Sequence, residues 1–233
     1  MEYLTDFPKI QCPFIRETFS VNKEQHKRNG RQLQLRKPEV YLVVNKINPG
    51  YEWVFDDPDT IAVEKLDGTN VKIKTEEGRL VALQNRKNVI NPLLIMKGKS
   101  FIIEGVFQAI QKGYVEDNLE QAGEIIGPKL QGNPYNIANH IWYPFLKSVK
   151  HLKYRSFHEH DVNFKNLSDW FEHYLKSLFM AKQVGHDKAG FAEGVIFYNL
   201  RRKAENQTYM AKLRRDMFEW YYSDMIEIYD YPK

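Results

Sequence analysis

Ile61-Ala62-Val63-Glu64-Lys65-Leu66-Asp67-Gly68-Thr69-Asn70 is the stretch on which the reading of the whole chain turns. It begins as a short apolar strand and stops at Asp67-Gly68, with one lysine set at the edge where the strand ends. Val71-Lys72-Ile73-Lys74 then alternates apolar and polar residues, the period of a half-buried strand. Gly68 is expected to take the tight backbone geometry of a strand-to-strand reversal. A lysine fixed on strand scaffolding beside a turn is well placed to act as a nucleophile, because an amine attacks only from a site that favours its uncharged form. An ordinary hairpin with a solvated lysine has the same spacing, so the stretch alone does not separate the two readings.

Working outward, the N-terminal side starts with Phe7-Pro8-Lys9-Ile10-Gln11-Cys12-Pro13-Phe14 and continues into a polar segment rich in Lys23, Lys27, Arg28, Arg31, Arg36 and Lys37. Such a run reads as a solvated face, with a phosphate-backbone contact as the alternative. Tyr41-Leu42-Val43-Val44 reads as a strand. On the C-terminal side, Leu80-Val81-Ala82-Leu83 is another strand, running into Gln84-Asn85-Arg86-Lys87-Asn88. Ser100 to Gln111 is a helix by its apolar spacing, with Ser100 as cap and Gly113 as stop. Ala122 to Gly127 and Ile141 to Phe145 are β-prone, and the glycines and prolines of residues 127–135 force a loop between them. Trp170, Phe171, Tyr174, Leu175, Leu178 and Phe179 recur at three-to-four spacing, which predicts one continuous helix over Ser168 to Lys182. Phe191 to Tyr198 and Tyr209 to Arg214 are strands; the second puts Lys212 and Arg214 on one face and Ala211 and Leu213 on the other. The tail from Asp216 to Asp230 is expected to be helical.

These pieces arrive in a recognisable order. Lys65-Leu66-Asp67-Gly68-Thr69-Asn70 resembles motif I, the lysine-x-x-glycine element of covalent nucleotidyltransferases, the superfamily of ATP-dependent DNA ligases, mRNA capping guanylyltransferases and RNA ligases. Asn85-Arg86-Lys87 resembles the segment after motif I, whose arginine binds the phosphate of the incoming strand. Glu124, in Gly123-Glu124-Ile125-Ile126-Gly127, resembles the motif III glutamate that holds the ribose hydroxyls. Trp142, Tyr143 and Phe145 compete for the motif IIIa aromatic that stacks on the purine. Glu193, in Glu193-Gly194-Val195-Ile196, resembles the metal-associated acid of motif IV, and Lys212 with Arg214 resembles the motif V cations that grip the α-phosphate. Taken singly, Arg86 reads as a loop arginine, Tyr143 and Phe145 as core, and Lys212 and Arg214 as an exposed strand face. Their occurrence in order carries the resemblance.

The resemblance implies an α+β nucleotidyltransferase (ATP-grasp-like) domain with antiparallel sheets flanked by helices, occupying residues 1–233 with residues 1–50 packed on it. Its nucleotide-binding set is Glu64, Lys65, Asn70, Arg86, Glu124, Tyr143, Phe145, Glu193, Lys212 and Arg214. Lys65, Glu193, Lys212 and Arg214 form the catalytic group, with Glu193 associated with Mg2+ or Mn2+. The implied reaction joins a 3′-hydroxyl to a 5′-phosphate with ATP, through lysyl-AMP and an adenylylated RNA end.

Asn70 favours the RNA ligases, whose motif I typically ends in asparagine where DNA ligases and capping enzymes have arginine. After Arg215 only 18 residues remain, fewer than the roughly 50 of a small domain. No C-terminal OB domain is therefore expected, the pattern of the RNA ligase 2 type. That leaves room for a partner protein in its place. Two positions depart from that branch: Asp67 stands where histidine is frequent, and Arg214 where lysine is usual, which keeps the charge but changes its geometry. A DNA ligase, a capping-type GMP transferase and a non-catalytic nucleic-acid-binding protein are the alternatives.

Composition sets the outer bounds. The 233 residues suffice for one large domain, and a net charge of +4 is consistent with a nucleic-acid partner. Cys12 is the sole cysteine, which excludes an intrachain disulfide or a cysteine-based zinc site. With no membrane-length apolar run and an acidic, polar start, the expected setting is cytoplasmic with no membrane partner, and the resemblance implies a part in RNA repair. Gly98-Lys99-Ser100 ends like a phosphate-binding loop, but Leu93 stands where its first glycine is required. His158-Glu159-His160-Asp161 lacks the i, i+4 histidines of a helical metal site and reads as a polar loop.

Overall fold

In the computed structural model the described residues are 3–7, 9–20, 39–93, 98–159, 161–202 and 209–222, with the backbone alone of 27–28 and 31–32. The basic segment of residues 21–38 has its side chains outside this set, and the helix expected up to Asp230 lies outside it beyond residue 222. In chain order the strands and helices are β1 (Phe14–Ser20), β2 (Lys27–Arg28), β3 (Arg31–Gln32), β4 (Glu39–Ile47), α1 (Trp53–Asp56), β5 (Thr60–Lys65), β6 (Thr69–Glu76), β7 (Arg79–Asn85), β8 (Asn88–Val89), α2 (Ser100–Gln111), β9 (Glu120–Ile126), β10 (Ile141–Pro144), α3 (Phe145–His151), α4 (Phe164–Asp169), α5 (Leu178–Val184), β11 (Gly194–Asn199) and β12 (Met210–Arg214). The fold is thus α+β, with antiparallel ladders and few helices. Among the described residues no helix is long and apolar enough to cross a membrane.

The chain divides into two compact units. The first gathers Met1–Lys9, Val63–Tyr154 and Lys176–Ala192; the second gathers Ile10–Ala62, Arg155–Leu175 and Glu193–Lys233. β5 and the segment around Leu175 are two of the places where the backbone passes from one unit to the other.

The first unit is built on a five-stranded sheet in the order β10-β9-β6-β7-β8. Along β6 the buried residues are Val71, Ile73 and Thr75, and the alternate positions are half-buried, as the alternation predicts. Val71, Ile73, Leu83, Ile125 and Trp142 meet Ile102, Val106 and Ala109 of α2 in one apolar layer, each without solvent exposure. Of the stripe expected from Phe101, Ile102, Val106, Ala109 and Ile110, the middle three are buried and Phe101 is half-buried, but Ile110 is 41% exposed. Ser100 is the first helical residue rather than the cap: Lys99 holds the cap position without a side-chain bond. Gly113 follows with φ +65°.

The second unit holds the β1–β4 ladder, the β2–β3 pair, β11, β12 and the first half of β5, up to Ala62; the sheet order is β12-β11-β5. β11 and β12 run antiparallel with Ile196 opposite Lys212, so Ala211 and Leu213 are buried while Lys212 and Arg214 stay on the half-buried face.

The continuous helix expected over Ser168 to Lys182 is two helical pieces. α4 runs into a π-helical turn at Trp170–Tyr174, closed by the Leu175 amide on the Trp170 carbonyl (2.8 Å). Arg215 then takes the terminal carbonyls, Nε donating to Phe171 O (2.8 Å) and an Nη to Glu172 O (3.3 Å). Tyr174, which the stripe assigned to the core, is 65% exposed. Ser177 restarts the helix as N-cap of α5, its Oγ accepting from the Met180 amide at 3.1 Å. Apolar periodicity runs across the break because Phe171 and Leu175 are buried before it while Leu178 and Phe179 are half-buried after it; the cap residue was the signal against continuity.

Candidate functional site

Lys65 ends β5, half-buried, and Leu66 to Gly68 carry the chain into β6. β5 and β6 belong to different sheets, so the stretch is not a hairpin. Gly68 is not in the left-handed region; its role is closeness. A Cβ there would meet Ile125 O at 2.0 Å and Glu124 Cγ at 3.0 Å. The turn after Lys65 is thus pressed against β9 at the glutamate singled out by the sequence. The Asp67 amide donates to Tyr135 Oη at 2.6 Å, which fixes the same turn from the loop side.

Sheet register assembles the next three residues. Asn70 of β6 lies opposite Glu124 of β9, and Glu124 lies opposite Tyr143 of β10. Directly opposed residues point to one face of a sheet, so Asn70, Glu124 and Tyr143 form one cross-strand row. The neighbouring row goes the other way: Trp142 is fully buried against α2, its indole N–H donating to Val71 O at 3.1 Å. Gly123 makes that possible, since a Cβ there would lie 2.7 Å from the indole nitrogen. Of the three competing aromatics, the structure puts Trp142 in the core, Tyr143 beside Glu124, and Phe145 at the start of α3, where it meets Phe7 at 6.2 Å. Burial, then Tyr114 and Glu64, push the Tyr143 hydroxyl up to about 12, so it stays a neutral hydrogen-bonding group.

Arg86 lies beyond the end of β7 with φ 52°, exposed, at the β7–β8 turn. The buried Asn85 next to it ties this turn to motif I: its Nδ2 donates to Asn70 O (2.7 Å) and Thr69 Oγ1 (3.0 Å), and Lys99 Nζ donates to its Oδ1 (3.3 Å).

Glu64 is 2% exposed and its carboxylate is occupied by protein: Oε1 accepts from Ser177 Oγ (2.6 Å) and Oε2 from the Phe179 amide (2.8 Å). It therefore caps α5, and its own amide donates to Leu152 O at 2.8 Å. The nucleotide-binding part assigned to Glu64 by resemblance meets a carboxylate already engaged. Burial raises this carboxyl to about 7, against the lowering effect of Ser177, the α5 amides and Lys182. Its ordinary value is 4.5, so between pH 4.5 and 7 the folded protein keeps a proton that the unfolded chain releases. Stability is then expected to fall as pH rises through this window and to level off above it, by an amount on the order of 3 kcal/mol. Glu64→Gln, which keeps the shape and can still accept from Phe179, should flatten the dependence of melting temperature on pH between 5 and 8; an unchanged slope would assign it to other groups.

Phe179 and Tyr135 were missed by sequence reasoning. Phe179 meets Tyr135 edge-on at 5.1 Å and Tyr143 at 5.5 Å, while remaining half-buried. Only the Ser177 cap signal could have shown that Phe179 begins a helix and does not continue one.

In the second unit, Glu193, Lys212 and Arg214 lie at the paired ends of β11 and β12. Arg214 faces Glu193 at 3.8 Å and Asp216 at 3.0 Å, and the Arg215 amide donates to Glu193 O at 3.0 Å. Asp216 is a fourth charge here, one that sequence reading placed in the tail. No group of three or more His, Cys, Asp or Glu gathers to hold a metal among the described residues. Magnesium bound through one or two carboxylates together with phosphate oxygens needs no such cage, and the half-buried Glu193 fits that donor pattern.

No protein-family model matches the sequence. No curated protein matches it either. Among solved structures the chain is similar to the RNA ligase of Naegleria gruberi. A ligand-free variant gives a TM-score of 0.41 at 15% identity over 71% of this chain and 52% of that one. A variant with ATP and Mn gives 0.39 at 15% identity over 70% and 51%. Another with ATP and Mn gives 0.40 at 12% identity over 94% and 63%. The chain spans about half the length of the first solved ligases it matches.

Proposed function

We propose that this chain acts as an ATP-dependent RNA ligase of the RNA ligase 2 type, carrying out adenylyl transfer in RNA repair in the cytoplasm. The observation that carries the reading is the cross-strand row Asn70–Glu124–Tyr143, packed at the turn that follows Lys65. Asn70 and Glu124, chosen by motif order, and Tyr143, one of the three candidate aromatics, share one sheet face against the turn that follows the candidate nucleophile.

In this reading Lys65 Nζ attacks the α-phosphorus of ATP. A nitrogen–phosphorus bond forms, the bridge to the β-phosphate breaks, pyrophosphate leaves and the amine proton passes to solvent. The terminal oxygen of an RNA 5′-phosphate next attacks the same phosphorus, and lysine departs, taking up a proton. A 3′-hydroxyl finally attacks the RNA phosphorus; the phosphodiester forms, the bridge to the adenylate breaks, AMP leaves and the hydroxyl proton passes to solvent. Glu124 accepts from the ribose hydroxyls, Tyr143 offers its ring to the adenine, Arg86 takes the phosphate of the incoming strand, and Lys212 and Arg214 counter the charge of the transition state. Mg2+ or Mn2+, held by Glu193 with the phosphates, would supply further charge neutralisation. A chain that adenylylates in isolation without joining RNA would need a partner protein for sealing.

The test presents 5′-phosphorylated nicked RNA, nicked DNA and single-stranded RNA with labelled ATP or GTP. Label retained on protein from ATP, and joining of RNA in preference to DNA, is expected. Label from GTP alone would make the chain a capping-type transferase, and joining of nicked DNA alone a DNA ligase.

A further inference from the structure

Two short helices of the first unit bring positive charge together. α3 carries Lys147, Lys150 and His151, three and four residues apart from 147, hence on one side of the helix. α5 carries Lys182, three residues beyond Phe179. Glu64 holds both helices, its amide on Leu152 O just past α3 and its carboxylate on the first turn of α5. A series of rings connects them: Lys147 Nζ sits 4.0 Å from the Tyr114 centroid, Tyr114 meets Tyr143 at 5.8 Å, and Tyr143 meets Phe179 at 5.5 Å.

No carboxylate among the described residues lies within ion-pair distance of Lys147, Lys150 or Lys182. The charges act on one another. Lys182 is held below the ordinary lysine value by desolvation and then by Lys147, with Glu64 pulling the other way. His151 is lowered by desolvation, then by Lys182, Lys147 and Lys150. The helix dipole accounts for Lys150 and His151 in the last turn of α3 and for Lys182 in the last turn of α5. It does not account for Lys147, which stands in the first turn of α3, where a cation is disfavoured. Its contact with Tyr114 fixes its place without neutralising it. Like charges gathered without counter-ions cost stability in the free protein, and a phosphate backbone offsets that cost on binding.

We propose that Lys147, Lys150 and Lys182 form a docking surface for the phosphate backbone of the RNA strand. The inference rests on the RNA-joining reading above, and its test separates the two. Binding of a 5′-hydroxyl RNA strand, which has no phosphate end to adenylylate, is followed by fluorescence anisotropy over a range of KCl concentrations. The variant Lys147→Glu/Lys150→Glu/Lys182→Glu is compared with Lys46→Glu/Lys112→Glu/Lys165→Glu, which makes the same charge change at other exposed positions. The first should bind about tenfold more weakly and lose about 2 from the slope of log affinity against log salt, since each single-strand phosphate contact contributes about 0.7. The second should stay within about twofold of the parent. Covalent labelling by ATP without RNA should match the parent in both.

Unchanged binding in the first variant, or equal weakening in the second, overturns the docking surface. If charge reversal prevents folding, Lys147→Gln/Lys150→Gln/Lys182→Gln reads the same slope. Patch-dependent binding by a protein that never labels would remove the ligase reading and keep the surface; labelling with patch-independent binding would do the reverse.

Discussion

Lys65→Ala is expected to abolish covalent labelling by ATP, lowering it by at least about a thousandfold, while leaving the fold intact. The size of the effect follows from the bond itself. A phosphoramidate needs a nitrogen at this place, and alanine offers none. The structural cost is small by comparison. Lys65 is a half-buried strand-end residue whose Nζ makes a long 3.4 Å contact with the carbonyl of the next residue. Strand pairing of β5 runs through its backbone, which alanine keeps. A change of about 1 kcal/mol or less is expected, read as a nearly unchanged melting curve. Intact-protein mass spectrometry after incubation with ATP and Mg2+ should show an AMP adduct on the parent and none on the variant. An adduct that persists in the folded variant would place the nucleophile elsewhere and end the proposed mechanism.

What the sequence could reveal divides along a physical line. The alternation Val71-Lys72-Ile73-Lys74 and the spacing of Ile102, Val106 and Ala109 are local properties, and the buried faces of β6 and α2 follow them. The partners of those faces are not local. Trp142, Tyr143 and Phe145 are three aromatics within four residues, and composition does not rank them. Pairing of β10 with β9 does, by sending Trp142 to the α2 layer and Tyr143 to the Glu124 row. Glu64 was legible only as the neighbour of Lys65, because its use as a cap for α5 depends on Ser177, 113 residues away. The break at Leu175 was hidden for a related reason: the ligands that end the first helical piece come from Arg215, far along the chain. The assignment of Lys65 to one compact unit and of Glu193, Lys212 and Arg214 to the other has no local signature at all.

Gly68→Ala should be the most damaging single methyl that can be added to this chain's candidate site. The usual account of a turn glycine, a positive φ, does not apply, since Gly68 lies outside that region. What forbids the methyl is Ile125 O at 2.0 Å, a backbone atom that no rotamer change can move aside. Ile125 cannot retreat cheaply either, because β9 is hydrogen-bonded to β6 on one side and to β10 on the other. The alternative is for residues 66–68 to lift away from β9, breaking the 2.6 Å bond from the Asp67 amide to Tyr135 and moving Lys65 from the Glu124 row. Overpacking of this kind costs about 3 kcal/mol, which for a chain of this size lowers the melting temperature by roughly 6–12 °C. Labelling should fall further than the loss of folded protein explains when measured well below the new melting point. Lys72→Ala, on the adjoining β6, serves as the control that shortens a half-buried side chain near the turn without the collision. A Gly68→Ala protein that melts and labels like the parent would mean that the turn does not sit against β9, and with it would go the closeness of the turn after Lys65 to Glu124.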